Sequence, residues 1–289
     1  MCRFALYLGE PITISSLVTE PSHSIIHQSF QSQERVEPLN GDGFGIGWYA
    51  HGYDDPVIFK EVSPAWNSMN LRSLASRTES GCILAHVRAA SPGLPVTQLN
   101  CHPFASGRLA FMHNGTVGGF RSVRRPLREG LSQRAYDGIE GSTDSELAFA
   151  LLLDAYEADR EAQPLERLAS ALLSAVAATE STRRSLERAE PSLLNFCLTD
   201  GQRAVASRFV STPDHPSNSL YVHQGAGYEC VDGVCRMTPR GDKPGAVIIA
   251  SEPLSEDSSW SRVPENHLVL VDEELNVELR PIELDIQTL

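Results

Sequence analysis

Residues 193–210, LLNFCLTDGQRAVASRFV, form two apolar runs hinged on Asp200-Gly201. Asp-Gly between strand-like runs is a hairpin signal, so these runs pair antiparallel. What precedes them is helical. Thr143, with Glu146 three residues on, matches a capping box, and Leu147, Ala150, Leu151 and Asp154 follow at helical spacing. PLERLASALLSAVAATE, residues 164–180, repeats the pattern with Leu165, Leu168, Leu172 and Val176 on one face. Ahead of the helices the chain reads as strands: CRFALYL, GFGIGWYA, PVIFKEV, GCILAHVRAA and RLAFMHNGTV. An arginine-rich stretch at residues 120–142 reads as surface loop and helix. After the hairpin come SLYVHQG, GAVIIASEPL and HLVLVDEELNVELRPI. The order strands, helices, strands predicts an α+β fold of antiparallel sheets with helices outside them, not an alternating βαβ fold. No linker divides the 289 residues.

A formal net charge of −13 repels phosphate backbones and anionic lipid surfaces, so neither a nucleic-acid nor a membrane partner is expected. The richest apolar patch, LAFALLLDAY, is too short for a membrane span, and the amino terminus lacks a signal-peptide pattern; the expected location is cytoplasmic. The six cysteines are scattered, which argues against a disulfide scaffold. Cys230 and Cys235 flank Asp232-Gly233, a hairpin turn. A zinc site there would need a second close pair of ligands in sequence, so no metal is expected, and the two are read as cross-strand buried thiols.

NGDGFGIGWYA, residues 40–50, fits neither a dinucleotide fingerprint, because Ile46 stands where the last glycine is needed, nor a P-loop. It reads as a strand whose Gly43, Gly45 and Gly47 strip one face, for tight packing or for a ligand. In AHVRAAS, His86 and Arg88 share a strand face. Arg88 suits a carboxylate gripped bidentately, either a substrate's or one of the protein's own. Asn114-Gly115 is a turn or an oxyanion hole made of a side-chain amide beside an unobstructed backbone N–H. His102 and His113 show no ligand or triad spacing and are read as packing histidines. Asp144 complements a helix amino terminus or binds an ammonium. Cys2, once Met1 is excised, would carry a thiol and a free α-amine, a nucleophile with its own base. Together these residues describe cleavage of glutamine or another γ-glutamyl amide: Cys2 attacks, Asn114 and Gly115 hold the oxyanion, and Arg88 and Asp144 hold the charged ends of the amino acid.

MCRF, NGDGFGIGWY, AHVRAAS, NCHPF, FMHNGT and STDSE, in this order, resemble the class II glutamine amidotransferases of the amino-terminal-nucleophile hydrolase superfamily. The resemblance implies a four-layer αββα sandwich formed by one domain over residues 2–289, with the core motifs in 2–150 and strands of 190–289 completing it. It implies Cys2 as nucleophile, Arg88 with Ser91 and His86 nearby for the α-carboxylate, Asn114 and Gly115 as oxyanion hole, and the Gly115 carbonyl with Asp144 for the α-ammonium. Ala89 stands where some branches carry an aromatic. No cofactor is implied. The sequence is most similar to stand-alone members that hydrolyse γ-glutamyl compounds, and residues 21–49 resemble the glutathione-degrading type, which implies a small γ-glutamyl substrate and a partner peptidase. The alternatives are a glutaminase subunit that delivers ammonia to a synthase partner and an inactive glutamine-sensing scaffold.

Overall fold

The computed structural model describes residues 2–34, 39–91, 93–186, 190–213, 215–231, 234–238 and 245–284. The first part of the chain holds β1 (Arg3–Thr13), α1 (Ser15–Val18), α2 (Ile25–Phe30), β2 (Phe44–Trp48), β3 (Val57–Glu61), α3 (Met69–Ala75), β4 (Glu79–Val87), β5 (Phe104–Ser106) and β6 (Leu109–Thr116). Four helices follow: α4 (Phe120–Glu129), α5 (Gln133–Asp137), α6 (Asp144–Ala158) and α7 (Pro164–Arg184). The rest is β7 (Leu193–Thr199), β8 (Ala204–Arg208), β9 (Tyr221–Gly225), β10 (Gly227–Val231), β11 (Val234–Thr238), β12 (Ala246–Ala250), β13 (Ser261–Arg262), β14 (His267–Val271) and β15 (Val277–Pro281).

Two large antiparallel sheets result, of seven strands in the order β13-β9-β12-β1-β4-β2-β3 and six in the order β15-β14-β8-β7-β6-β5, with β10 and β11 pairing as a separate two-stranded ribbon. The β7–β8 hairpin about Asp200-Gly201 sits in the second. Strand alternation sorts the side chains into three apolar layers. Phe4, Leu6, Leu8 and Leu84 of the first sheet meet Ala110, Met112, Cys197 and Val269 of the second between the sheets. On the outer face of the first sheet, Ala5, Tyr7, Phe44 and Ile46 pack on Leu17, Ile25 and Leu71 of α1, α2 and α3. On the outer face of the second, Phe111, Phe196 and Leu268 pack on Leu147, Leu152, Leu168 and Leu172 of α6 and α7. This is the αββα sandwich.

The helices over the first sheet went unread in the sequence because they are short and carry no apolar period. Their signal is the serine caps: Ser24 accepts from the His27 N–H and Ser68 from the Leu71 N–H. At α6 the Thr143 hydroxyl accepts the Glu146 N–H at 3.2 Å, half of a capping box. The Glu146 carboxylate does not return to Thr143; it accepts the N–H groups of Glu140 (2.9 Å) and Gly141 (2.8 Å) and ties down the loop before the helix.

Cys230 and Cys235 correct the expectation of free thiols. They are direct partners across β10 and β11, with Cα atoms 4.0 Å apart, and are joined as a disulfide. Facing positions of a hairpin put both sulfurs on one side of the ribbon, close enough to bond. The turn at Asp232-Gly233 lies outside the described residues.

The glycine-stripped face of β2 packs against backbone. A Cβ on Gly45 would lie 2.1 Å from the His102 carbonyl oxygen, and one on Gly43 2.7 Å from Cys101 Sγ. The segment Cys101–Pro103 therefore lies directly on β2, which leaves no room there for a ligand. Gly45→Ala is expected to destabilise by more than about 2 kcal/mol, the range for overpacking against an obstacle that cannot move aside. A urea-unfolding free energy within about 0.5 kcal/mol of wild type, the scatter of neutral substitutions, would contradict this packing.

Glu252, just past β12, is fully buried and paired with Arg3 and with His23 (2.8 Å). Burial alone would raise its pKa, but the hydrogen bond from His23, the charge of Arg3 and the Gln33 amide outweigh it and hold the carboxyl at about 2 instead of 4.5. A depressed folded-state pKa means that this contribution to stability is complete above about pH 4.5 and is lost as pH falls toward 2. The stability difference between wild type and Glu252→Gln is thus expected to be flat near neutrality and to shrink across that acid window, as read by unfolding at stepped pH.

Candidate active site

At one end of the inter-sheet layer the inward positions turn polar. Along β1 the inward residues Leu8, Leu6 and Phe4 extend to Cys2, and along β4 the series Cys82, Leu84 and His86 extends to Arg88. On β6, facing them from the other sheet, Ala110 and Met112 are followed by Asn114. The same two-residue period that builds the core thus delivers Cys2, Arg88 and Asn114 to one end of it.

Cys2 is half-buried, its Sγ 3.7 Å from the Ala89 carbonyl oxygen. Arg88 is 3% exposed. Its Nη1 and Nη2 lie 3.4 Å from the carbonyl oxygens of Asp42 and Pro95, and no carboxylate among the described residues pairs with it. A buried guanidinium held only by two long contacts to neutral carbonyls is incompletely compensated. Asp42 frames it: the Asp42 N–H donates to the Arg88 carbonyl (3.0 Å), and the Asp42 carboxylate accepts the Ala90 N–H (2.8 Å). Nearby, burial pushes the Cys101 thiol pKa up, while the charges of Arg88 and Lys60 pull it back.

Asn114 is fully buried. In one orientation of its amide, Nδ2 donates to Ser251 Oγ (3.2 Å), which also accepts the Phe4 N–H (3.1 Å). The Asn114 Oδ1 is then left buried without a donor, and among the described residues the Ser251 proton has no acceptor. Turning the amide over satisfies both, because Ser251 then donates to Oδ1 and still accepts from Phe4. Nδ2 is thereby freed as an unengaged donor. The proton count favours this second orientation. At Gly115 an added Cβ would meet the Leu193 carbonyl at 1.7 Å, so glycine is demanded by the close approach of β7.

Asp144 opens α6 beside the end of β6. Its Oδ2 accepts the Val117 N–H (2.8 Å) and its Oδ1 the Ser145 N–H (2.9 Å), which fixes a half-buried carboxylate next to Asn114-Gly115. Ser145 also lies 2.9 Å from His113 Nδ1, and His113 Nε2 is 3.2 Å from the Leu193 carbonyl. Because that carbonyl only accepts, Nε2 carries the proton, which leaves Nδ1 an acceptor; the Ser145 hydroxyl has this nitrogen and, at 3.3 Å, Asp144 Oδ1 to donate to.

Two expected site residues form no hydrogen bond to Cys2, Arg88, Asn114 or Asp144 among the described residues. His86 shares the face of Arg88 but is 1% exposed, stacked on His102 at 4.1 Å, with Nε2 on the His113 carbonyl (3.1 Å). Burial lowers its pKa to about 3, so it is a neutral support beneath the site. Ser91 is exposed on the following loop, and among the described residues its hydroxyl has no hydrogen-bond partner. The sequence reading missed Ser251 and Asp42. Both lie inside quoted motifs, but their partners are far away in sequence or on the main chain.

A cavity of about 1090 Å³ opens elsewhere, between the edge strands β3 and β5 and helices α5 and α6, with Lys60, Phe104, Arg134 and Phe149 among its walls. None of Cys2, Arg88, Asn114 or Asp144 lines it. Among the described residues, Glu20, Cys230 and Cys235 place three ligand-type atoms within 4.8 Å, but the two sulfurs are bonded to each other and so are not offered as thiolates. Asp257 and Ser259 both approach Nε2 of His223, at 3.3 and 2.6 Å, so that group does not form a relay through the two ring nitrogens.

The family model for class-II glutamine amidotransferases matches residues 14–281. The chain is 37% identical, over 98% of its own length and 84% of the relative's, to the probable glutamine amidotransferase DUG3 of Saccharomyces cerevisiae. It is 28% identical, over 94% and 93%, to the gamma-glutamyl-hercynylcysteine sulfoxide hydrolase of Mycobacterium tuberculosis. In structure it is similar to a glutamine aminotransferase class-II domain protein from Silicibacter pomeroyi (TM-score 0.67, 27% identity, 98% of this chain and all of that one). It is similar in fold to the glutamine phosphoribosylpyrophosphate amidotransferase of B. subtilis (TM-score 0.62, 14% identity, 99% of this chain and 50% of that one). The chain therefore belongs to the class-II glutamine amidotransferases, an enzyme built on the amino-terminal-nucleophile hydrolase fold.

Proposed function

We propose that residues 2–289 form one amidotransferase domain that hydrolyses the γ-glutamyl amide bond of a small γ-glutamyl compound, with Cys2 as the nucleophile. The observation that carries this reading is Arg88, a buried guanidinium without a carboxylate, at the same end of the inter-sheet layer as the thiol and the Asn114 amide. A substrate α-carboxylate supplies the missing charge, and Asp144, beside the Gly115 carbonyl, takes the α-ammonium. The site then reads the glutamyl end and leaves the other side of the amide to be chosen by the rest of the pocket. A γ-glutamyl conjugate of the glutathione type is favoured, because the curated hydrolase relative named above acts on a γ-glutamyl sulfoxide and is matched over 93% of its length.

The chemistry follows from the arrangement. Removal of Met1 bares the α-amine of Cys2, whose ordinary pKa of about 7.7–8.0 leaves much of it neutral near pH 7.5. The amine takes the thiol proton, and the thiolate attacks the γ-carbonyl. The Asn114 Nδ2 and Gly115 N–H hold the oxyanion. Collapse breaks the C–N bond, the amine returns its proton to the departing nitrogen, and a γ-glutamyl thioester remains on Cys2. Water, deprotonated by the same amine, cleaves the thioester and releases glutamate. The proposed setting is cytoplasmic, with a peptidase or synthase subunit as protein partner.

Wild type is expected to release one glutamate per amide cleaved from a panel of glutamine, glutathione and γ-glutamyl sulfoxides. Cys2→Ala should lose turnover and remain folded; substantial glutamate release by that variant rejects the nucleophile. Intact mass should show loss of Met1, and a fully active protein that retains Met1 removes the amine from the mechanism. Preference for glutamine, with ammonia transferred only when a synthase is added, would favour the subunit reading over free hydrolysis.

Asn114→Ala is expected to lower kcat by about 10²–10³-fold, the effect of deleting one oxyanion donor, with a smaller change in KM. Ser251→Ala keeps the amide but removes its tether and should fall between that variant and wild type. Steady-state kinetics on the best panel substrate separate the three.

A further inference from the structure

An amino-terminal nucleophile has a particular mechanical problem. No peptide bond precedes it, so only its own carbonyl and the next residue hold it in place. In this chain β1 begins at Arg3, paired with Val87, and Cys2 stands outside the ladder. Two contacts to Phe4 fix the start of β1 from the adjacent end of β12. Ser251 Oγ accepts the Phe4 N–H, and the Ser251 N–H donates to the Phe4 carbonyl (2.9 Å). On the opposite face of the sheet Arg3 reaches back, its Nη1 donating to the Cys2 carbonyl at 2.8 Å while its Nε pairs with Glu252.

Glu252 is itself fixed on every side. Its second oxygen meets His23 Nε2 at 2.8 Å and accepts the Gln33 N–H at 2.8 Å, and the Glu34 N–H approaches Oε1 at 3.3 Å. Arg3, Glu252 and His23 are all buried. A buried ion pair generally adds little net stability over well-packed apolar side chains of the same volume, so stabilisation alone does not account for it. The guanidinium fork, by contrast, does what no apolar side chain can: it joins a fixed carboxylate to a main-chain carbonyl in one rigid plane.

We infer that Arg3, locked by Glu252, is a positioning residue that fixes the Cys2 carbonyl and so sets the place from which the Cys2 amine and thiol reach into the site. This deepens, and rests on, the reading of Cys2 as nucleophile. The bond to the carbonyl holds the Cys2–Arg3 peptide plane, and with it the Cα from which the amine and thiol project, in place relative to Asn114 and Arg88. Adjacent residues Ser251 and Glu252 thereby grip both the strand that carries the nucleophile and the amide that faces it.

The decisive variant is Arg3→Lys. It keeps the charge opposite Glu252 but has a single nitrogen and no planar fork, so it cannot hold the carboxylate and the Cys2 carbonyl in the same geometry. Glu252→Gln is the second variant; it keeps the shape and loosens the lock. With Met1 removal checked by intact mass, both are expected to lower kcat by about 10–100-fold, the scale of a misplaced reacting group, with KM changed by less than about threefold. The pH profile of Cys2 alkylation by iodoacetamide should shift in both, while the Tm of Arg3→Lys stays within a few degrees of wild type. Wild-type kcat and alkylation profile in Arg3→Lys overturn the inference, as do losses of kcat in both variants that merely track their loss of Tm. If the wild-type protein releases no glutamate from any γ-glutamyl amide, the proposed function falls instead, and the alkylation profiles still decide whether Arg3 positions Cys2.

Discussion

Everything at the candidate site depends on two sheets pressed face to face through apolar side chains that run out at one end. The strand period does not change there; only the residue chemistry does. Phe4, Leu6 and Leu8 fill the layer, and the next inward position of the same strand is Cys2. Met112 fills it from the other sheet, and the next inward position is Asn114. The packing that keeps the sheets at a fixed separation therefore also sets the amide on one opposite the strand that leads to the thiol on the other. Asn114, inside β6, is as rigid as the core it extends, whereas Cys2, ahead of β1, depends on Arg3 for its place.

The segments around the strands also complete the site by pinning main chain. Asp42 binds the backbone on both sides of Ala89, and Asp144 binds the Val117 N–H at the exit of β6. Glu146 captures the amides just before α6, and Ser251 couples β12 to both β1 and β6. Each of these carboxylates or hydroxyls accepts a backbone N–H that would otherwise lie unpaired near the protein interior. Cys101–Pro103 crosses the bare face of β2 in the same spirit, occupying with backbone the volume that three glycines vacate.

Local patterns made much of this legible. The β7–β8 hairpin, the Thr143 cap, the two long helices and the shared face of His86 and Arg88 follow from periods and turn chemistry within a dozen residues. The exclusion of βαβ topology followed from their order. Long-range partners did not. Nothing near Glu252 announces Arg3 or His23, more than 220 residues away, and nothing near Ser251 announces Asn114. The disulfide was hidden for a different reason: a hairpin reading places Cys230 opposite Cys235 but does not say whether two facing thiols are oxidised. The face shared by His86 and Arg88 was read correctly, but depth was not. Only the position of Cys101–Pro103 reveals that the histidine is sealed under a ring and a loop while the arginine, two residues on, lies at the edge of the layer.

Pairing, not residue type, is what sets Arg88 apart among the buried arginines. Arg3, Arg88, Arg183 and Arg208 are all less than a tenth exposed. Arg3 has Glu252, Arg183 has Glu180 at 2.8 Å, and Arg208 has Glu265 at 3.7 Å together with main-chain carbonyls. Of these four, only Arg88 has no carboxylate partner among the described residues. Burying an uncompensated cation is costly, and the fold meets that cost here with two contacts of 3.4 Å to neutral carbonyls. On the function proposed above, the missing anion is the ligand's own carboxylate, whose binding would release a penalty already built into the folded chain at the end of the layer that also holds Cys2 and Asn114.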